Sequence, residues 1–382
     1  MKNYSAAIAF YRDMCFQRIQ VSVPTMGMVI NCYCLEGRSD LGFATLGASF
    51  KRGLAPNVVT FGTLLKGYFR QHRVSEAQEL FKKIIREKVC QPDEMMIGII
   101  IDGLSKAGNT EKSIEFLRIM ENEDMKLDCI QYNPIIDALM KDKMMDQALD
   151  LFHEMIEKRI APTVVTYTCL IRGFCNLRIW DEVKRFLAEM TRFGIALDAV
   201  TYNILIDSYC KEGRMKDAEG MLQNMIKRGV TPTIITYNTM MEGYCLQGHV
   251  DKAKSIFDNM VSGGIVPDIV SFNVLINGYN KQLKFIEAMH LSQEIQHKGL
   301  TLDIRSYDVI LKGMFQLGEC CAAKELFSKI QMSSLKPSFY TYCVMLDGLC
   351  KNRDIGEALL LLDKMEVDGV ELDINYHVYH NH

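Results

Sequence analysis

No segment of this chain holds the roughly 18 to 20 consecutive apolar residues that a membrane-spanning helix needs; the run around Ala358 to Leu362 is far shorter. No membrane partner is therefore expected. No two cysteines stand in a CxxC spacing and no HxE triplet occurs, so the metal site and proton shuttle of a zinc deaminase have nothing to be built from. The 13 cysteines are odd in number, which speaks against a disulfide framework and for a reducing compartment, and His380 and His382 form no ligand set of known spacing. The expectation is a protein without metal, cofactor, small-molecule substrate or catalytic centre. Positive charge is not in excess either: 44 Lys and Arg stand against 47 Asp and Glu, a net charge of −3. Non-specific coating of nucleic acid depends on broad phosphate neutralisation and is excluded on that ground, although a local basic stripe is not. The N-terminus, MKNYSAAIAFYRDMCFQ, contains Asp13 and lacks an Arg- and Ser-rich, acid-poor leader, so no transit peptide is visible.

What is present is enough to fold, with 48% hydrophobic and 24% charged residues. At 382 residues the chain exceeds the size at which one core stops growing, which leaves two domains or a repeat array. Internal similarity decides between them. The strings VVTFGTLLKGYF (58–69), VVTYTCLIRGFC (164–175), AVTYNILIDSYC (199–210), IITYNTMMEGYC (234–245), IVSFNVLINGYN (269–280) and FYTYCVMLDGLC (339–350) recur at multiples of 35, with one additional residue in the unit that starts at Val58. Pro162, Pro232, Pro267 and Pro337 keep the same period, and Pro56 and Pro92 take the equivalent place in earlier units.

Ten units follow: 23–57, 58–93, 94–128, 129–163, 164–198, 199–233, 234–268, 269–303, 304–338 and 339–373, with a partial unit at 1–22 and a stub at 374–382, both expected to fray. Within one unit Tyr202, Leu205, Ile206 and Tyr209 form the apolar stripe of a first helix that Gly213 ends. Ala218, Met221, Leu222 and Met225 form the stripe of a second, stopped by Gly229 and Pro232. A lone hairpin cannot bury both faces, so the units must stack into an all-α, right-handed superhelical solenoid with a concave inner surface. Gly67, Gly103, Gly173, Gly243, Gly278, Gly313 and Gly348 on first helices, and Ala77, Ala148, Ala218, Ala253, Ala288, Ala323 and Ala358 on second helices, are placed where the two helices of a hairpin should touch.

A 34-residue tetratricopeptide array would carry its own Trp, Gly and Tyr pattern, whereas Trp180 is the sole tryptophan and the period is 35. The run of two hydrophobic residues, Thr-Tyr-Asn, then Leu-Ile, Gly and Cys-Lys, followed by Ala, Met and a closing Pro-Asp, resembles the pentatricopeptide repeat in its plain 35-residue class, over nearly all of 1–373. NCYCLEGRSDLGFATLGASFKRGLAPNVVTFGTLLKGY (31–68) resembles the restorer-of-fertility-like branch of plant organellar proteins. The resemblance implies sequence-specific binding of single-stranded organellar RNA, with the mitochondrion ahead of the chloroplast. It also implies effects on RNA processing, stability or translation, exerted by occupying the RNA or recruiting processing or translation factors.

In this family the fifth and last residues of a unit read the edge of one base, and the second residue packs on its face. A single-stranded base exposes its Watson–Crick edge and both π-faces, so a short polar side chain must meet the edge and an apolar one the face. Asn carries donor and acceptor together and suits a pyrimidine; Thr is smaller and leaves room for a purine. The edge pairs implied are Gly27 with Asn57, Gly62 with Asp93, Gly98 with Asp128, Asn133 with Thr163, and Thr168 with Asp198. They continue as Asn203 with Thr233, Asn238 with Asp268, Asn273 with Asp303, Asp308 with Ser338, and Cys343 with Asp373. The face residues implied are Val59, Met95, Ile130, Val165, Val200, Ile235 and Val270, while Pro24, Arg305 and Tyr340 depart from the pattern. The units from 129 to 303 would then prefer pyrimidine-G-pyrimidine-U-U. Arg70, Lys106, Lys141, Lys211, Lys281 and Lys351 share one phase near the end of the first helix, where the family contacts phosphate.

Other readings of the same residues stand beside these. Asp, Asn, Thr and Ser before a helix are ordinary N-caps, each worth roughly 1 kcal/mol, though capping asks for no polar partner one turn inside the helix, as Asn133, Asn203, Asn238 and Asn273 supply. Cations late in a helix complement its dipole by ~0.3–1 kcal/mol. Cys34, Cys175, Cys210, Cys245 and Cys350, and Met120, Met155, Met190, Met225, Met260 and Met365, read as core. A solenoid groove holding a peptide or protein partner is the alternative function.

Overall fold

A computed structural model describes residues 4–17, 19, 21–122, 127–284, 287–288, 290–291, 294–295, 304–332 and 335–367. Asp303, Asp373 and the stub 374–382 lie outside them. Twenty α-helices and no strand occur among the described residues, and none of these helices is long and apolar enough to cross a membrane. The chain divides into two compact bodies, Met1–Ala196 and Leu197–His382.

In the first body a helix at Tyr4–Phe16 precedes five hairpins, which begin with Val23–Leu35, Val58–Arg70, Glu94–Lys106, Cys129–Lys141 and Val164–Asn176. In the second body Ala199–Lys211, Ile234–Leu246, Ile269–Lys281, Ile304–Gln316 and Phe339–Lys351 are the corresponding first helices. Each hairpin turns sharply because the chain crosses the left-handed region between its helices. Gly213 (φ 72°) does so after the first helix of its unit and Gly229 (φ 77°) after the second, the two stops legible in the sequence. Where the sequence offers no glycine, Lys143 (φ 62°) and Arg178 (φ 60°) take the same conformation against the steric preference of an L-residue.

Packing follows two rules. Second helices bury their alanines: Ala77, Ala148, Ala218, Ala253, Ala288, Ala323 and Ala358 are all buried, as is the methionine series. The glycines serve a different contact from the one expected. They do not face the second helix of their own unit; they receive a residue from the first helix of the unit before. A Cβ on Gly243 would stand 2.6 Å from Cys210 Sγ, and Gly67, Gly103, Gly173, Gly278, Gly313 and Gly348 meet Cys34, Phe69, Met140, Cys245, Asn280 and Phe315 in the same way. First helices therefore stack directly on first helices within each body, forming a continuous first-helix layer. Cys34, Cys175 and Cys210 are buried in this layer and Cys245 is half-buried, whereas Cys350, expected in the core from its phase, is exposed.

Candidate functional site

Among the described residues, eight unit-ending residues are N-caps of the next unit's first helix. Asn57, Asp93, Asp128, Thr163, Asp198, Thr233, Asp268 and Ser338 all hold extended backbone in front of a helix. Asp93 Oδ1 accepts from the Met96 amide at 2.8 Å and Asp198 Oδ1 from the Thr201 amide at 2.8 Å. Capping and a place in the first-helix layer are thus properties of the same side chains, and neither excludes the other.

The stacking of first helices brings the fifth residue of one unit beside the start of the next. Asn133 Oδ1 accepts from Thr166 Oγ1 at 2.7 Å, and Thr166 Oγ1 in turn accepts from the Thr163 amide at 3.0 Å, so Asn133 and Thr163 meet through one hydroxyl. Asn203, Thr236 and Thr233 repeat this arrangement at 2.7 and 3.1 Å. Asn238 Nδ2 lies 3.5 Å from Asp268 Oδ1. Thr168, in the first body, donates to Val164 O at 2.6 Å, while Asp198 caps its helix in the second. Asp308 is buried and Cys343 half-buried. At Gly62 and Gly98 an apolar side chain of the following unit fills the place of a reader, since an added Cβ would stand 3.2 Å from Ile99 and 3.1 Å from Ile130. Pro134 sits inside its helix, past the first turn, yet Asn133 keeps its bond to Thr166 and the helix runs on to Lys141.

The second residues present the opposite chemistry. Val59, Met95, Ile130 and Val165 in the first body, and Val200, Ile235 and Val270 in the second, are 51–68% exposed, although each directly precedes a buried third residue. Pro24 and Arg305 are exposed and Tyr340 is half-buried at the same place. Arg70, Lys106, Lys141, Lys211, Lys281 and Lys351 are all exposed. Four of them carry a partner that spacing alone did not bring out. Lys106, Lys141, Lys211 and Lys351 pair with Asp102, Asp137, Asp207 and Asp347 one turn earlier, at 2.8 Å for Lys106 and 2.7 Å for Lys211. Those aspartates also recur with the repeat, and that recurrence was the available signal. The third-residue hydroxyls were missed likewise, although Thr or Ser stands at that place in each of the six aligned strings.

The description "PPR repeat family" fits residues 127–176, 197–245, 232–281, 267–316 and 302–351, more than half of the chain, and "PPR repeat" fits 52–85, 98–125, 165–195 and 340–370. The chain belongs to the pentatricopeptide repeat family. Among curated pentatricopeptide repeat proteins and their kin, it is 35% identical over 92 residues to Protein Rf1, mitochondrial, of Oryza sativa subsp. indica, covering 23% of this chain and 12% of that protein. It is 25% identical over 108 residues to a chloroplastic pentatricopeptide repeat-containing protein of Arabidopsis thaliana, covering 28% and 14%. The chain thus matches only about an eighth of the length of these curated relatives. Among solved structures, the maize pentatricopeptide repeat protein PPR10 aligns over 97% of this chain and 67% of that one, at 20% identity and a TM-score of 0.44. Yeast Rmd9p, solved in complex with a 16-nt target RNA, aligns over 95% and 84%, at 14% identity and a TM-score of 0.47.

Proposed function

We propose that this chain binds single-stranded RNA, each unit meeting one base, and acts by occupying the strand rather than by reacting with it. The observation that carries this reading is the recurring pair of chemistries in the first-helix layer: an exposed apolar second residue next to a polar fifth residue and a polar cap. A protein core gives no reason to leave Val59, Met95, Ile130 and Val165, or Val200, Ile235 and Val270, in water at one phase of the repeat. A base gives one, because its face stacks on an apolar side chain while its edge meets hydrogen-bonding groups.

On this reading the edge is met by Asn133 with Thr163, Thr168 with Asp198, Asn203 with Thr233, Asn238 with Asp268, and Asn273 with Asp303. The preference, in chain order, is pyrimidine-G-pyrimidine-U-U. Asn57, Asp93 and Asp128 work opposite glycines and contribute little selection; Asp308 with Ser338, and Asp373 opposite Cys343, are weak readers. The relatives' names, one mitochondrial and one chloroplastic, support an organellar setting, and we place the chain in the mitochondrion. There it would affect processing, stability or translation by shielding RNA or by recruiting processing or translation factors.

Filter binding tests this directly. An RNA carrying CGUUU or UGCUU should bind more tightly than its scrambled counterpart, and Asn238→Thr should move one nucleotide's preference from U towards G by about 1–3 kcal/mol. Equal binding of matched and scrambled RNA would reduce the array to a scaffold for a protein or peptide.

A further inference from the structure

In eight of the ten units the third residue of the first helix is Thr or Ser, Met96 and Gln131 being the exceptions, and its hydroxyl has one proton to give. Thr166, Thr236 and Ser271 are fully buried, so that proton must be given to a protein group. Which group receives it depends on the cap. Where the cap is Asp268, Ser271 Oγ lies 3.0 Å from the carboxylate Oδ1 and donates to it. Thr201 donates to Asp198 at 2.7 Å, and Thr60 to the amide oxygen of Asn57 at 3.0 Å. Where the cap is Thr163 or Thr233, no carboxylate or amide oxygen competes. The hydroxyl then reaches back to the preceding unit, to Asn133 Oδ1 and Asn203 Oδ1, each at 2.7 Å.

The consequence falls on the asparagine. In Asn133 and Asn203 the amide oxygen is already satisfied, which fixes the amide plane and leaves the Nδ2 hydrogens as its free hydrogen-bonding group. In Asn238 the oxygen is buried and meets no donor, while Nδ2 lies beside Asp268. Cytosine and uracil differ at ring N3, which is an acceptor in cytosine and an N–H donor in uracil. A fixed amide donor complements the first and confronts the second with a like group.

Resting on the RNA-binding reading above, we infer that Thr166 and Thr236 are positioning residues for base selection. By holding the oxygens of Asn133 and Asn203, they make the units 129–163 and 199–233 select cytosine over uracil. An aspartate cap withdraws the same hydroxyl and leaves the asparagine oxygen buried without that anchor, while the cap's own carboxylate offers uracil N3–H an acceptor. The cap therefore acts on base choice partly through a side chain that never touches the base.

The test uses the full chain and a pool of RNAs with ten randomised nucleotides, sequenced before and after binding. The position whose preference disappears in Asn203→Ala marks the nucleotide read by that unit. There the unaltered chain should enrich C over U by at least about fivefold, the lower end of a single-position mismatch. Thr236→Val should bring the ratio to within about twofold of unity, leave neighbouring positions unchanged, and be rescued by Thr236→Ser. Ser271→Ala removes a hydroxyl from the same place in the following cap without touching an asparagine oxygen, and should leave the U preference at the Asn238 position in place. A ratio at the Asn203 position that survives Thr236→Val, or equal loss in Thr236→Val and Ser271→Ala, overturns the inference while base reading stands. An Asn203→Ala chain with an unchanged profile overturns base reading at this unit and the inference with it.

Discussion

Burial sets the chemistry of individual cysteines more than their spacing does. Cys210 packs under Gly243 and Cys169 lies inside its first helix; loss of solvent pushes both thiols up to about 12, and Cys245 up to about 11. A thiol reacts through its thiolate, so these residues should be inert at pH 8, whereas Cys321 and Cys350 are exposed. Titration with an aromatic disulfide reagent should show a fast phase from the exposed thiols and a slow one that follows unfolding. Cys210 reacting in the fast phase would contradict its place in the first-helix layer. Residues of this kind mark what the sequence could show. Recurrence at one phase identified Cys34, Cys175 and Cys210 as core, but phase alone could not assign what each touched. The glycines were legible as small-residue contacts and misassigned to the hairpin, because a one-dimensional period does not say whether neighbours lie within a unit or between units. Thr166 and Thr236 were hidden for another reason. Their hydroxyls matter only through a cap one turn earlier and an asparagine 33 residues earlier, a relation that appears once first helices are known to stack.

At the scale of elements, the stack of first helices depends on the missing side chains. Gly243→Ala places a methyl group 2.7 Å from Cys210 Cβ, an atom that cannot swing aside without moving its helix. Overpacking of this kind costs about 1–3 kcal/mol, to be read as a lower urea midpoint. Gly220 provides the contrast, since it lies inside the helix Met215–Lys227 with nothing within 4 Å of an added Cβ. Gly220→Ala should stabilise by about 0.5–1 kcal/mol through backbone entropy alone. If both substitutions moved the midpoint the same way, the close contact would not be the cause. The second helices are tied differently. Arg118 donates to Glu154 from the neighbouring unit's second helix, 2.6 Å from its Nη2 to Oε2, and Lys158 reaches the same carboxylate at 2.6 Å. Arg118, with Lys158, holds the Glu154 carboxyl at about 2, below its usual value of 4.5. A carboxyl lowered on folding stabilises above its unfolded value and loses that contribution as pH falls from about 4.5 towards 2. Partial exposure screens the pair, which leaves of the order of 1 kcal/mol. Melting temperature should therefore drop over this range, and Glu154→Gln should flatten that part of the profile. An unchanged acid slope in Glu154→Gln would remove this network from the account.

For the whole molecule, a net charge of −3 means that any phosphate contribution to RNA affinity must come from a few well-placed cations, and the structure grades the six candidates. Lys106, Lys141, Lys211 and Lys351 each face an aspartate on the same helix, whereas Arg70 and Lys281 have no ion-pair partner among the described residues. A phosphate that takes over a paired lysine frees its carboxylate, which then gathers a cation, so little net counterion release results. An unpaired cation gives the full effect, a slope in log K against log salt of about −0.7 per phosphate on a single strand. Six independent contacts would give a slope near −4, and two would give about −1.4. The expected value is the shallow one. Replacing Asp102, Asp137, Asp207 and Asp347 together by Asn should tighten binding at low salt and steepen the slope towards about −4. Asp102, Asp207 and Asp347 also stand late in their helices, opposite in sign to what the helix dipole favours, so their removal is not expected to weaken the fold, whereas Asp137 also accepts from Arg172 of the next unit at 3.0 Å and its removal loses that link. A quadruple variant that binds RNA with an unaltered slope would mean that these lysines stay away from the strand. The phase shared by the six cations would then belong to helix C-termini, and affinity would have to rest on stacking against the exposed second residues.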